Sequence, residues 1–164
     1  MKTIRELLTS PQARNGSVEW IGVRPERRRD LVELDSVRTI ESVGLEGDHR
    51  MNRKPDSNGK RHVTFFQWEH LPAIASYLGL DHIAPGVLRR NIGISGVNLL
   101  SLNGRKFSIG DARFEGTGQC HPCSRMQEIF GEGGYNAVRG HGGITARVLC
   151  EGEIRIGDEV LLVK

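Results

Sequence analysis

The phrase Ile-Gly-Asp occurs twice in the second half of the chain, each time between two short runs in which apolar and polar residues alternate. The first copy joins residues 106–109 to residues 112–115, and the second joins residues 153–156 to residues 159–163. Such alternation is typical of a strand with one buried face, and Gly-Asp is typical of a tight turn. The two copies predict a repeated β-hairpin with the aspartates as turn residues, so the chain is predicted to be mainly β.

Further strand signals occur along the chain. Asn103-Gly104 is a strong hairpin signal and predicts pairing between residues 98–102 and 106–109. Apolar alternation or β-branched and aromatic residues predict additional short strands at residues 17–23, 30–37, 61–66 and 90–94.

Helical spacing of apolar residues is confined to two segments. The longer is residues 67–78, with Pro72 accommodated in the first turn, and the shorter is Ser124–Phe130. We interpret residues 1–16 as an N-terminal lead-in and residues 17–164 as a single domain. The predicted fold is mixed α+β, mainly β, with few helices.

Composition narrows the class of protein. The 164 residues include 23 basic and 20 acidic side chains, a net charge of +3 that is too balanced for a protein built around a nucleic-acid backbone. Three cysteines cannot form a fully paired disulfide framework. No run approaches the length that spans a membrane, and residues 1–15 lack the apolar segment of a signal peptide. We therefore expect a cytoplasmic protein with no nucleic-acid or membrane partner, and the sequence leaves its oligomeric state open.

Two clusters of basic residues stand out. The first consists of Arg24, Arg27, Arg28 and Arg29, and we interpret it as the solvated face of a loop. The second surrounds a polar loop, where anion binding and simple solvation are both open. Its members are Arg50, Arg53, Lys54, Lys60 and Arg61.

Residues 116–129 hold two of the three cysteines, Cys120 and Cys123, directly before the predicted helix Ser124–Phe130. The positive end of a helix dipole and a cation such as Arg125 favour the thiolate form of a nearby thiol. The alternative is a pair of buried thiols that act as small apolar side chains. Because glycine, glutamine, histidine and proline are poor core neighbours, the sequence favours a reactive thiol.

Two short groups are candidates for ligand contacts. Gly47, Asp48 and His49 form a turn in which glycine permits the close approach of a ligand, although a purely structural turn has the same residues. Arg90 and Asn91 present donors that suit an oxyanion or a phosphate, or else a salt bridge and a turn cap.

The run at residues 131–143 contains six glycines, with Arg139 and His141 beside them. We interpret it as a concave nest of backbone amides that suits a phosphate. It matches neither the Walker pattern nor the dinucleotide fingerprint, because no β-α-β alternation surrounds it.

Three chemistries compete for these residues. A structural zinc site normally has four ligands, and here one Cys-x-x-Cys pair is joined only by Cys150 in a strand and His141 in a loop. A thioredoxin-like dithiol fits Cys-His-Pro-Cys before a helix, but that fold needs parallel β-α-β units. The third is a single thiolate that binds a soft metal or carries sulfur while basic residues hold an anionic cofactor.

The order and spacing of four motifs resemble the MOSC domain, named after the C-terminal domain of molybdenum-cofactor sulfurase and also found in small stand-alone bacterial proteins. The motifs are residues 44–48, 90–92, 109–123 and 152–160, and they extend over nearly the whole chain. The resemblance implies a β-barrel of mixed strands, similar to the barrel domain of pyruvate kinase, with a few peripheral helices.

The resemblance also implies a molybdenum-pterin cofactor (molybdopterin) and a role for each motif. Cys123 follows a proline, as the family's hallmark cysteine does, and would carry sulfur or ligate molybdenum. Cys120 would resolve a persulfide on Cys123 or be only a neighbour. The cofactor contacts implied by the resemblance are Arg90, Asn91, Gly47, Asp48 and His49. We add Arg125, Arg139 and His141 as positive groups that would bind the cofactor's phosphate and delocalised charge.

The leading functional hypothesis is a cofactor-binding sulfur carrier. The chain lacks the upstream desulfurase domain of the full sulfurase, so no pyridoxal phosphate is expected on it. A separate sulfur donor, similar to a cysteine desulfurase, or an electron-donor protein is implied. The alternatives are a small molybdenum reductase of N-hydroxylated compounds and a metal-free binding module.

Overall fold

The computed structural model describes residues 1–52 and 59–163. Within them the chain is mainly β, with short strands and shorter helices. The strands in chain order are β1 (Gly16–Val23), β2 (Val32–Glu33), β3 (Ser36–Ile40), β4 (Gly44–Leu45), β5 (Val63–Gln67), β6 (Ile92–Ser95), β7 (Lys106–Ile109), β8 (Ala112–Gln119), β9 (Ile144–Cys150), β10 (Gly152–Arg155) and β11 (Glu159–Leu162).

Seven of these strands form a closed barrel in the order β11-β7-β8-β9-β5-β6-β1, because β11 also pairs with β1. Neighbouring strands are antiparallel except β5 and β6, which run parallel. A short strand, β2, extends the sheet beyond β1, and a separate three-stranded sheet has the order β10-β3-β4. The fold predicted from the sequence, a mainly β barrel with a few helices, is confirmed.

The first helix precedes β1, and the other helices lie on the connections between barrel strands. The helices are α1 (Ile4–Leu8), α2 (His70–Tyr77), α3 (Ser124–Phe130) and α4 (Gly134–Val138), with 3-10 turns at His49–Asn52, Pro85–Leu88 and Leu99–Leu102. Helix α2 lies on the connection from β5 to the parallel strand β6, which a tight hairpin could not make.

Apolar side chains pack on both faces of β5, whose five residues are all buried. Phe65 points into the barrel and makes edge contacts with Phe107 and Phe114, with ring centroids 5.6 and 5.4 Å away. Phe66 points outward and packs with Trp20 beneath the helices. The helices therefore cover one side of the barrel and bury a second apolar cluster there.

Several local predictions are confirmed. The strand predicted at residues 17–23 is β1, and the helix Ser124–Phe130 has the predicted ends. The helix predicted at residues 67–78 is the shorter α2, with Pro72 in its first turn. The turn at Gly110-Asp111 joins β7 to β8 as an antiparallel hairpin.

The hairpin predicted at Asn103-Gly104 is wrong. Asn103 has φ −60° and ψ 130°, whereas the two-residue hairpin turn needs positive φ at both positions. Before it lies the 3-10 turn Leu99–Leu102, stabilised by the Asn98 side chain, which accepts a hydrogen bond from the backbone amide of Leu100. Local capping thus competes successfully with strand formation in this segment.

Two other strand predictions need correction. The second Ile-Gly-Asp copy is not a barrel hairpin, because β10 pairs with β3 in the small sheet while β11 pairs with β7 and β1 in the barrel. Asp158 is nevertheless a turn residue, since its carboxylate accepts a hydrogen bond from the Arg155 amide. The single strand predicted at residues 30–37 is divided into β2 and the start of β3.

Side-chain hydrogen bonds from Arg105 and from Asn15 to Glu159 join the lead-in to the barrel. Arg105 donates hydrogen bonds to the carbonyl oxygens of Ser10 (3.0 Å) and Thr9 (3.2 Å). Helix α1 has no buried residue, although Thr3 and Glu6 form a capping box at its start.

Candidate functional site

Asp48 is a buried acceptor that fixes three segments around one carboxylate. One oxygen, Oδ2, accepts hydrogen bonds from the Arg24 amide (3.1 Å) and from Asn91 Nδ2 (3.0 Å). The other, Oδ1, accepts from the Arg50 amide (3.0 Å) and lies 3.3 Å from His49 Nδ1. The side chain therefore joins the end of β1, the start of β6 and the turn at His49–Asn52.

Asn91 is almost inaccessible, and all of its side-chain bonds are internal. Its Oδ1 accepts hydrogen bonds from the amide (3.2 Å) and hydroxyl (2.9 Å) of Thr64, and its Nδ2 donates to Gly22 O (3.1 Å) as well as to Asp48. It links β1 and β5 to Asp48. A direct cofactor contact from Asn91 stays a prediction.

Arg90 is also buried, at 7% exposure, and its guanidinium bonds to backbone carbonyls from three segments. Nη1 donates to Leu88 O (3.1 Å), Nε donates to Gly142 O (2.9 Å), and Nη2 donates to His121 O (3.1 Å) and Cys120 O (3.4 Å). None of these acceptors is a carboxylate, so the hydrogen bonds leave a buried positive charge. Like that of Asn91, its predicted contact with the cofactor is untested.

Arg24, the last position before the basic loop, is buried instead of forming the solvated face that the sequence predicts. It is 9% exposed, and Nε and Nη2 have no hydrogen-bond partner among the described residues. The pKa of Arg24 is lowered to about 10, mainly by burial and also by nearby Arg50, while Asp48 opposes the shift. The group is still a cation at neutral pH, with buried donors that a bound anion would satisfy.

Arg89 connects this region to the cysteines. Its backbone is left-handed, with φ 60° and ψ 32°, an uncommon conformation for a side-chain-bearing residue. Burial lowers the pKa of Arg89, as does nearby Arg125, while Asp30 and Cys123 oppose the shift. We call Arg24, Arg50, Arg89 and Arg90 the arginine cluster, because Arg24 is also coupled electrostatically to the other three.

The residues at 120–123, which we call the cysteine loop, place their two thiols differently. Cys123 is exposed and is the N-terminal capping position of α3. Cys120 is buried, and its amide donates to Gly143 O (2.8 Å). All three cysteines are free. Only Cys123 of the pair presents its side chain to solvent, which suits reaction with a large partner.

Helix α4 occupies the middle of residues 131–143, where the sequence predicts a phosphate nest, and several amides of this run donate within the chain itself. The Ala137 amide donates to Gly133 O, and the His141 amide donates to Val138 O. The close-packed part is the end of the run, where a Cβ on Gly142 would lie 1.9 Å from Cys120 O and one on Gly143 would lie 1.8 Å from Phe65 O. These glycines allow three backbone segments to meet.

The two side chains predicted beside that nest, His141 and Arg139, lie in different surroundings: His141 contacts other aromatic rings, and Arg139 is exposed. His141 Nδ1 lies 3.1 Å from His70 Nδ1, with the two rings edge to face, and the Tyr77 ring centroid is 5.5 Å away. Arg139 is exposed at the end of α4, and no described hydrogen bond or ion pair joins it to the arginine cluster. Arg125 is half-buried and pairs with Glu128 (2.6 Å), while its buried Nε has no partner among the described residues.

The histidine pair makes stability depend on pH. Burial lowers the pKa of His70, His141 lowers it further, and Glu69 opposes the shift. The unfolded chain therefore binds this proton more readily, so the contribution to stability is complete above the ordinary histidine pKa of 6.5 and is lost as pH falls below it. We expect the melting temperature of wild type to fall more between pH 7.5 and pH 5 than that of His70→Gln.

The control for this measurement is His82→Gln, because His82 is exposed. That variant should keep the wild-type dependence on pH. An equal fall in melting temperature for wild type and His70→Gln would contradict the assignment to the histidine pair.

The second basic cluster predicted from the sequence is only partly covered by the described residues. Arg53 and Lys54 of the second basic cluster are not among the described residues, whereas Arg50 of that cluster belongs to the arginine cluster. In residues 1–52 and 59–163, no three histidine, cysteine, aspartate or glutamate side chains converge as metal ligands. No helix in this part of the chain is both long and apolar enough to cross a bilayer.

Sequence reasoning missed Arg24 and Arg89 as site residues. Arg24 was grouped with three exposed arginines, although it directly follows the buried strand β1 and so lies at the edge of the core. Arg89 directly precedes Arg90, which the sequence did indicate as a site residue. The two adjacent arginines before Asn91 are the sequence feature that could have identified Arg89 as well.

A closed barrel, a cluster of buried and half-buried arginines and an exposed thiol together define a β-barrel protein whose arginines lie near a cysteine. A sequence model of the MOSC domain matches residues 46–161, more than half of the chain. The chain therefore belongs to the MOSC domain family, and this membership supports a role related to the molybdenum cofactor.

Solved structures show the same fold. The YuaD protein from Bacillus subtilis is 20% identical, with a TM-score of 0.77 over 90% of this chain and 94% of that one. YiiM from Escherichia coli is 18% identical, with a TM-score of 0.70 over 92% of this chain and 70% of that one. YiiM from Geobacillus stearothermophilus is 20% identical, with a TM-score of 0.70 over 91% and 75%. No curated protein sequence matches this chain.

Proposed function

We propose that this chain binds a molybdenum-pterin cofactor and carries sulfur on Cys123. The observation that supports the proposal most directly is the guanidinium of Arg24, buried with two donor nitrogens that lack a partner among the described residues. A buried donor without an acceptor costs about 1–3 kcal/mol, more when the group is charged. A ligand with a phosphate would supply acceptors and negative charge together.

The charge balance around the site favours the same class of ligand. The arginine cluster brings four cations together, and the described carboxylates that oppose the pKa shifts of Arg24 and Arg89 are Asp48 and Asp30, respectively. Asp48 already accepts hydrogen bonds from the backbone and from Asn91. The excess positive charge fits an anionic cofactor, with its phosphate held by Arg24 and Arg89.

In this proposal Cys123 faces the soft end of the cofactor. When bound, the cofactor supplies a molybdenum centre, and a thiolate or persulfide is a suitable soft ligand for such a metal. Gly47, His49 and Arg125 would border the pocket, and Arg139 and His141 would lie on its glycine-rich side. Asp48 and Asn91 would act by holding the backbone of Arg24 in place.

The sulfur step on Cys123 needs only a persulfide donor. The Cys123 thiolate attacks the outer sulfur of the donor persulfide, a new bond forms between Sγ and that sulfur, and the donor's S–S bond breaks to release its thiolate. The donor is a separate protein, similar to a cysteine desulfurase, and the exposure of Cys123 supports its access. The proposal places this exchange in the cytoplasm, where thiols stay reduced.

The test is the cofactor content of Arg24→Gln. Protein purified anaerobically from a host that makes the cofactor is assayed for molybdenum and for oxidised pterin per chain. We expect wild type to carry both and Arg24→Gln to bind the cofactor about tenfold or more weakly, because a hydrogen-bonded charge contributes roughly 1.5–3 kcal/mol. Arg27→Gln is the matched control, since Arg27 lies in the same loop but is exposed.

The outcomes separate the functional alternatives. A persulfide on Cys123 after incubation with a desulfurase and cysteine supports the carrier. Reduction of an N-hydroxylated compound by the loaded protein, without any persulfide on Cys123, would overturn the carrier in favour of the reductase. If the wild-type protein contains no metal, pterin or persulfide, the carrier is contradicted and the metal-free binding module is the alternative that is supported.

A further inference from the structure

We propose that Arg90 is a positioning residue that sets the cysteine loop, keeping Cys120 buried and Cys123 exposed. The inference rests on the proposed role of Cys123, but it concerns the protein alone and needs no bound cofactor. It assigns to Arg90 a role different from the cofactor contact that the sequence predicts.

Two carbonyl oxygens of the cysteine loop accept hydrogen bonds from Arg90. Arg90 Nη2 donates to both Cys120 O and His121 O, and no other described hydrogen bond reaches these two carbonyl oxygens. The following residue, Pro122, has no amide hydrogen with which to anchor the loop. Arg90 is therefore the side chain that holds the first half of the loop.

Arg90 also holds the cysteine loop against the backbone of residues 142–143. Its Nε donates to Gly142 O (2.9 Å), and the next residue, Gly143, accepts a hydrogen bond from the Cys120 amide (2.8 Å). A Cβ on Gly142 would lie 1.9 Å from Cys120 O and 3.3 Å from Arg90 Nη2. The loop is thus clamped directly onto residues 142–143 by one guanidinium, with no side chain between the two backbones.

The geometry of these contacts requires arginine at position 90. A guanidinium presents its donors in a rigid planar fork, so one group can reach Leu88, Gly142 and the cysteine loop at once. An ammonium has three donors on a flexible stem and cannot hold the same four carbonyls. Lysine at position 90 would keep the charge and lose the clamp.

The experiment measures alkylation of each cysteine by iodoacetamide, resolved by mass spectrometry, on cofactor-free protein. In Arg90→Gln and Arg90→Lys we expect Cys120 to be alkylated at least tenfold faster than in wild type. Cys150, which is exposed on β9, is the internal reference and should keep its rate. The yield of persulfide on Cys123 from a small-molecule persulfide donor should fall in the same variants.

Three further variants separate positioning from a general loss of stability. Arg105→Gln removes a similar bidentate contact to backbone carbonyls, at Thr9 and Ser10, and should leave Cys120 protected. Gly142→Ala keeps Arg90 but forces the two backbones apart, so it should expose Cys120, whereas Gly140→Ala, with nothing within 4 Å of its Cβ, should not.

Protection of Cys120 that is unchanged in Arg90→Gln, or fully retained in Arg90→Lys, would overturn the proposal. If the wild-type protein never acquires cofactor but Cys120 is alkylated faster in Arg90→Gln than in wild type, the proposed function is refuted and the positioning role is supported. The two failures are therefore distinguishable.

Discussion

Cys123→Ala is expected to abolish persulfide formation and to lose most of the bound molybdenum, while the protein folds as wild type does. Cys123 is exposed, and its side chain makes no described hydrogen bond, so the substitution should change the free energy of unfolding by about 0.5 kcal/mol or less. Alanine removes the nucleophile and the soft ligand together. Molybdenum, pterin and persulfide per chain are measured beside the melting temperature.

The other two cysteines provide the controls for that prediction. Cys150→Ser alters an exposed thiol on β9 and should leave cofactor and persulfide unchanged. Cys120→Ala alters a buried thiol and should lower the melting temperature. Persulfide and metal at wild-type levels in Cys123→Ala would contradict the assignment, and their transfer to Cys120 would identify that residue as the carrier.

The sequence could predict the features that depend on neighbouring residues. The helix Ser124–Phe130 follows from its apolar spacing and its position after Cys123, and both ends are as predicted. Strand β1 follows from alternation, and the turn at Gly110-Asp111 follows from its two residues. The barrel itself was predicted from the resemblance to the MOSC domain, since no local pattern specifies that β11 pairs with β1.

The arginine cluster shows why features that depend on contacts between distant residues could not be predicted from the sequence. Arg24 is buried at the end of β1, where the Asp48 carboxylate accepts hydrogen bonds from the Arg24 amide and from Asn91, and these residues are far apart in the sequence. A run of four nearby arginines has the same composition whether one is buried or all are solvated. The partner of β10 was missed for a similar reason, because Ile-Gly-Asp specifies a turn but not the sheet that each flanking strand joins.

The largest loss of stability is expected from Gly143→Ala. Gly143 has φ +82°, and an added Cβ would lie 1.8 Å from Phe65 O and 2.8 Å from the Phe65 carbonyl carbon, so backbone atoms of β5 must move. The left-handed backbone costs about 1 kcal/mol for alanine, and the clash adds roughly 1–3 kcal/mol. We expect a loss of about 3 kcal/mol in the free energy of unfolding, measured by urea denaturation.

Gly140→Ala isolates the contribution of the close contact. Gly140 has the same φ of +82°, but a Cβ there has nothing within 4 Å, so only the backbone cost of about 1 kcal/mol should remain. Equal losses in the free energy of unfolding in the two variants would show that the close contact with β5 is not the reason that glycine is required at position 143. A larger loss in Gly143→Ala would instead mean that the glycine is needed to bring residues 142–143 against the barrel, the surface onto which Arg90 clamps the cysteine loop.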